Sequence, residues 1–142
     1  MAITSVSIGA ELREDVDDVL FEDCDVIHDK GREWTLRVFH CDSALISNIR
    51  FENIRIEESP RLISLWIGAF VWTRYAERGH IQNVTFKDIS AIANPLLIEL
   101  KGFDEEHAIS NVTFENVRVN GRPLNQDDIK ENAFVQNVSV IP

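Results

Sequence analysis

Apolar and polar residues alternate in one nine-residue frame that recurs along the chain. It reads Val16-Asp-Asp-Val-Leu-Phe-Glu-Asp-Cys24, Ile46-Ser-Asn-Ile-Arg-Phe-Glu-Asn-Ile54, Ile81-Gln-Asn-Val-Thr-Phe-Lys-Asp-Ile89 and Ile109-Ser-Asn-Val-Thr-Phe-Glu-Asn-Val117, with a shortened copy at Val135-Gln-Asn-Val-Ser-Val140. Apolar positions that alternate over β-branched and aromatic residues predict strands with one buried face. The spacing of roughly 30 residues, with no amphipathic helix between copies, leaves no room for a helical crossover and predicts a repeat in which each unit stacks on the last. The expected architecture is all-β, a right-handed parallel β-helix (solenoid) of about four to five coils, forming a single domain over residues 1–142.

Stacking coils turns equivalent residues into columns. Phe21, Phe51, Phe86 and Phe114 are expected to form an internal aromatic ladder. Asp18, Asn48, Asn83, Asn111 and Asn137 make one corner column, and Asp23, Asn53, Asp88 and Asn116 another, because Asn and Asp tolerate left-handed backbone and hydrogen-bond locally. The triplets at Asn83, Asn111 and Asn137 match the glycosylation acceptor pattern, but their recurrence at one corner reads as turn chemistry.

A second strand precedes each frame: Ser5 to Gly9, Thr35 to Phe39, Ser64 to Gly68 and Leu97 to Lys101. Aligned by distance to the aromatic ladder, these place Ser7, Arg37, Trp66 and Glu99 in one outward column, with an insertion of about six residues in the third coil. An indole beside charged groups suits a sugar, whose C–H face stacks on the ring while its hydroxyls meet the charges. The inserted segment brings Trp72, Arg74, Tyr75 and Arg78 beside that face, and His40 follows the Arg37 strand. The candidate binding residues are therefore Arg37, His40, Trp66, Trp72, Arg74 and Glu99, with a polysaccharide or oligosaccharide as partner. Glu11 and Asp42 are the carboxylates best placed to catalyse, with Asp15 nearby.

Charge narrows the partners. A net charge of −10 opposes binding to nucleic acid or an anionic membrane surface, which needs clustered cations. No apolar stretch approaches the roughly 18 residues of a membrane helix. There is no glycine-rich phosphate loop, zinc-ligand spacing or Ser/His/Asp order, and Asp104-Glu-Glu-His107 reads as a solvated turn, so neither cofactor nor metal is expected. Cys24 and Cys41 are read as small core residues.

The frames at Asn48 to Ile54 and Asn111 to Val117, with the closing Val119-Asn-Gly-Arg-Pro-Leu124, resemble the C-terminal coils of polygalacturonase-like enzymes, glycoside hydrolase family 28. Ser7-Ile-Gly9 is similar to the Ser-Ile-Gly after that family's Gly-His-Gly motif, and Leu36-Arg37-Val38 falls where the family has its substrate-binding Arg-Ile-Lys strand. The resemblance implies a pectin-lyase-like β-helix acting on a polysaccharide, with Arg37 on the substrate side. Two positions depart: Thr4 stands at the family's histidine and Phe39 at its lysine. The family's catalytic aspartates lie on coils that precede this segment, so the resemblance implies the C-terminal part of a longer helix that lacks complete catalytic machinery. An uncapped first coil implies a homo-oligomer joined through that end.

Overall fold

A computed structural model describes residues 5–9, 12–70 and 73–142. Strands β1 (Val6–Ile8), β3 (Leu36–His40), β5 (Ile63–Ile67), β7 (Ile98–Lys101) and β10 (Lys130–Glu131) lie in that order in one sheet. The longer β2 (Val16–Val26), β4 (Leu45–Ser59), β6 (His80–Ala93), β8 (Ile109–Val119) and β11 (Val135–Ile141) form the second. Successive strands within each sheet pair in parallel, and the chain passes between the sheets to make a β-solenoid of about four turns. One antiparallel piece, β9 (Arg122–Pro123), folds back on β8 through Asn120-Gly121, both at positive φ as a tight hairpin requires.

The aromatic ladder runs through the second sheet in register. Phe51, Phe86 and Phe114 are fully buried, with ring centroids 5.0 Å apart at each step, and Phe21 stacks on Phe51 at 5.1 Å from the partly covered first coil. Around the rings Ile46, Ile49, Ile54, Ile81, Val84, Ile89, Ile109 and Val112 close the core at one per cent exposure or less.

The long strands bend where the corner residues stand. Every Asn and Asp of the two corner columns has φ between 50° and 58°, in the left-handed region. Their amides form a ladder with a direction: Asn137 Nδ2 donates to Asn111 Oδ1 (2.6 Å), Asn111 to Asn83 (3.0 Å) and Asn83 to Asn48 (3.2 Å). Asn48 then donates to Asp17 (2.7 Å) rather than to Asp18, which shares its backbone conformation, so the column shifts by one residue at its end. The second column is two separate pairs, Asn53 to Asp23 (2.6 Å) and Asn116 to Asp88 (2.9 Å). With Nδ2 of Asn83, Asn111 and Asn137 all engaged, the corner accounts for the three Asn-X-Ser/Thr triplets.

Asn83→Ala removes two ladder bonds and puts a Cβ-bearing residue without a local acceptor at φ 56°. We expect a loss of about 2 kcal/mol in urea unfolding, with Asn83→Gly costing less because glycine removes the backbone penalty. Equal losses for the two variants would mean that the backbone conformation contributes nothing.

Candidate functional site

The outer face of the first sheet carries the candidate site, in a register that differs from the expected one. Arg37 pairs with Ser7 on one side and Ser64 on the other, and Ser64 with Glu99, so Trp66 stands one column over, between Phe39 and Lys101. The displacement is two residues: the connection between β5 and β6 absorbs two more residues than alignment to the ladder assigned it. Because side chains alternate with period two, such a slip leaves every residue on its own face. Leu36, Val38, Ile63, Leu65, Ile67, Ile98 and Leu100 still fill the core.

The corrected register creates an aromatic corner. Phe39 and Trp66 stack with centroids 4.4 Å apart and planes 8° from parallel. Phe70, beyond the end of β5, stands edge-on to both at 6.1 and 6.3 Å. Phe39 is covered by its neighbours, Trp66 is half-buried, and Phe70 is 47% exposed. Gly68 makes the arrangement possible, since a Cβ there would lie 2.6 Å from the indole carbons of Trp66. The Arg37 guanidinium carbon sits 5.8 Å from the Phe39 centroid, and Arg37 is paired with Glu33. Trp34, Arg37, Phe39, Arg61, Ser64 and Trp66 line a cavity of about 300 Å³. Glu99, two rungs from Arg37 in its column, pairs with Lys101 at 3.2 Å.

His40 and Asp42 do not reach this face. His40 is the last residue of β3, three positions from Arg37 and so of opposite parity; it points inward, beside Ile67, with no exposed surface. Asp42 is also fully buried, its carboxylate accepting the N–H groups of Tyr75 (2.9 Å) and Arg74 (3.3 Å) and lying 3.4 Å from Arg13 Nε. It fastens the inserted loop, and its lone pairs are directed there instead of to a substrate. The Arg74 side chain is exposed on that loop. Glu11 and Trp72 lie outside the described residues.

Sequence reasoning missed Phe39, Phe70, Trp34, Arg61 and Ser64 as site residues. Phe39 was visible only as a lysine replaced. The signal that could have found it is parity: a large aromatic at an outward position of a short strand has no core to fill.

A larger cavity, about 520 Å³, lies against the end of the second sheet, where Ile27 and Ile92 are exposed beside Arg55, Ser90 and Arg118. Its polar groups are already engaged: Arg55 binds Asp25 through two bonds of 2.7 and 3.1 Å, and Arg118 donates to the Gly121 carbonyl. His80 and His107 approach to 5.5 Å between ring centroids, with His107 on Asp104, but no group of three metal-ligating side chains occurs among the described residues. Among the described residues no helix is long and apolar enough to cross a membrane.

No protein-family model, curated protein or solved structure matches this chain. The reading of its function therefore rests on the residues and the geometry above.

Proposed function

We propose that this solenoid binds a carbohydrate chain across the outer face of its first sheet, as the substrate-side coils of a polygalacturonase-like glycoside hydrolase do, without a complete catalytic pair of its own. The observation that carries this reading is the Phe39, Trp66 and Phe70 corner, which leaves an indole and a phenyl edge open next to Arg37 and Glu99. Stacking against the rings favours the C–H face of a pyranose, and the fixed guanidinium and carboxylate groups select its hydroxyls.

Hydrolysis with inversion needs two carboxyl groups roughly 6.5–9.5 Å apart around the bond, one of them able to hold a proton. Among the described residues, Glu33 and Glu99 on this face are each held by a neighbouring cation, and Asp42 is buried beneath the loop. Binding without turnover is the activity these groups support.

Trp66→Ala is expected to weaken oligosaccharide binding roughly tenfold or more, and Arg37→Ala by a similar factor, with β-sheet content unchanged. Titration calorimetry against a panel of neutral and acidic oligosaccharides, run beside a reducing-end assay, measures both. Tight binding that survives both substitutions removes the site from this face. Release of reducing ends would restore the hydrolase reading. If no sugar binds and the melting temperature rises with protein concentration, the chain is a structural solenoid that self-associates through its first coil, where Val16, Val19 and Phe21 are only partly covered.

A further inference from the structure

Residues 68–70 and 73–79 of the connection between β5 and β6, with Phe70 at the carbohydrate face, are held by three consecutive residues at the end of β3. The His40 carbonyl accepts the Gly68 N–H at 3.0 Å. The Cys41 carbonyl accepts the Thr73 hydroxyl at 2.8 Å and a guanidinium N–H of Arg78, while Thr73 Oγ1 accepts the Phe70 N–H at 2.8 Å. The Asp42 carboxylate accepts the N–H groups of Arg74 and Tyr75. Beneath these bonds lies the His40 ring, fully buried, with Gly79 so close over Nε2 that a side chain at 79 would strike it.

The protonation state of that ring follows from its contacts. Nδ1 accepts the Asp42 backbone N–H at 3.4 Å, so in the neutral imidazole the proton sits on Nε2. Nε2 faces the carbonyl of Ala44, on the connection between β3 and β4, without closing a well-formed hydrogen bond. A second proton must therefore go to Nδ1. It converts the acceptor of the Asp42 N–H into a donor pointed at that donor, in the residue whose carboxylate pins Arg74 and Tyr75.

We propose that His40 is a proton-sensitive latch: neutral, it holds Phe70 and residues 73–78 of the β5–β6 connection in place beside the carbohydrate face; protonated, it releases them. The regulatory part of this inference rests on the carbohydrate reading of the face, whereas the latch itself does not. The charged groups around the ring are Asp42 at the end of β3, Arg78 on the loop and Asp15 on the first coil, with Arg13 against Asp42. Burial dominates and holds the imidazole below its ordinary 6.5; the Ala44 carbonyl and the Asp42 and Asp15 carboxylates oppose it, and Arg78 reinforces it. With the folded value depressed, the latch is fully closed above about pH 6.5 and is lost as pH falls through the folded value.

The test is hydrogen exchange of the ligand-free chain at about pH 7.5 and about pH 5, corrected for intrinsic exchange rates. Protection of the Arg74 and Tyr75 amides should fall about tenfold or more at the lower pH, while core amides of β4 and β6 keep theirs. In His40→Asn the amide oxygen can accept the Asp42 N–H but does not titrate, and loop protection should become independent of pH. Equal loop protection of the native chain at both pH values overturns the latch. If His40→Asn fails to fold, NMR of the native chain decides: the His40 ring and the Arg74 and Tyr75 amides must titrate together, and a ring that stays neutral while the loop opens overturns the assignment. Oligosaccharide affinity separates the two readings. Loop opening with unchanged affinity at both pH values overturns regulation of the face, and absence of binding at either pH overturns the carbohydrate reading while the exchange data still judge the latch.

Discussion

Phe86→Ala should cost the solenoid about 4 kcal/mol, enough to remove a large part of the stability of a domain this size. Phe86 is fully buried with a ring stacked on each side, so truncation leaves a cavity whose walls belong to three different coils. Those walls are fixed by parallel hydrogen bonding along β4, β6 and β8 and have little freedom to collapse into the space. Phe21→Ala provides the contrast. Its ring is stacked on one side only and is partly exposed, so we expect roughly half that loss or less. Urea unfolding of the two variants measures the difference, and equal losses would refute the view that the central rungs carry the core.

Gly79→Ala is expected to cost about 3 kcal/mol through overpacking. A methyl group at 79 would overlap the Ala44 carbonyl oxygen and His40 Nε2, both held by the strand ends on which the solenoid is built. Neither neighbour is the far end of a flexible side chain, so the loop has to move instead. Its displacement takes Phe70 away from the Phe39–Trp66 stack and opens the indole to water. A red shift of tryptophan fluorescence together with a lowered melting temperature is the expected signature; a native spectrum at full stability would show that the loop can accommodate the methyl group.

The fold was legible because each coil repeats the same solution to the same problem. Corner Asn and Asp residues, the stacked phenylalanines and the alternating Ile and Val positions each mark a place in the coil, and several such marks per rung overdetermine the register of the second sheet. The first sheet has no comparable mark. Its strands are five residues or fewer, their outward positions hold unlike residues, and the only ruler was the distance to the ladder, which fails when a loop of unknown length intervenes. Parity survived the resulting error and column identity did not, which is why Arg37, Trp66 and Glu99 remained on one face while Trp66 moved beside Phe39. His40 was misplaced for a related reason: β3 extends through it, and one more residue of strand turns a side chain from solvent to core. Asp42 looked available because a carboxylate after a strand usually meets water; only the tertiary structure shows the loop folded over it.

The amide column at the corner gives the solenoid a vector. Each asparagine hands its hydrogen to the coil before it, so the run from Asn137 to Asn48 is a relay with a defined sense that terminates on the carboxylate of Asp17. Such a relay has no donor to pass beyond an aspartate, and at the opposite extreme the side-chain oxygen of Asn137 offers lone pairs alone. The polarity that knits consecutive coils thus fixes which coil precedes which, a grammar of succession written in the orientation of a few amides.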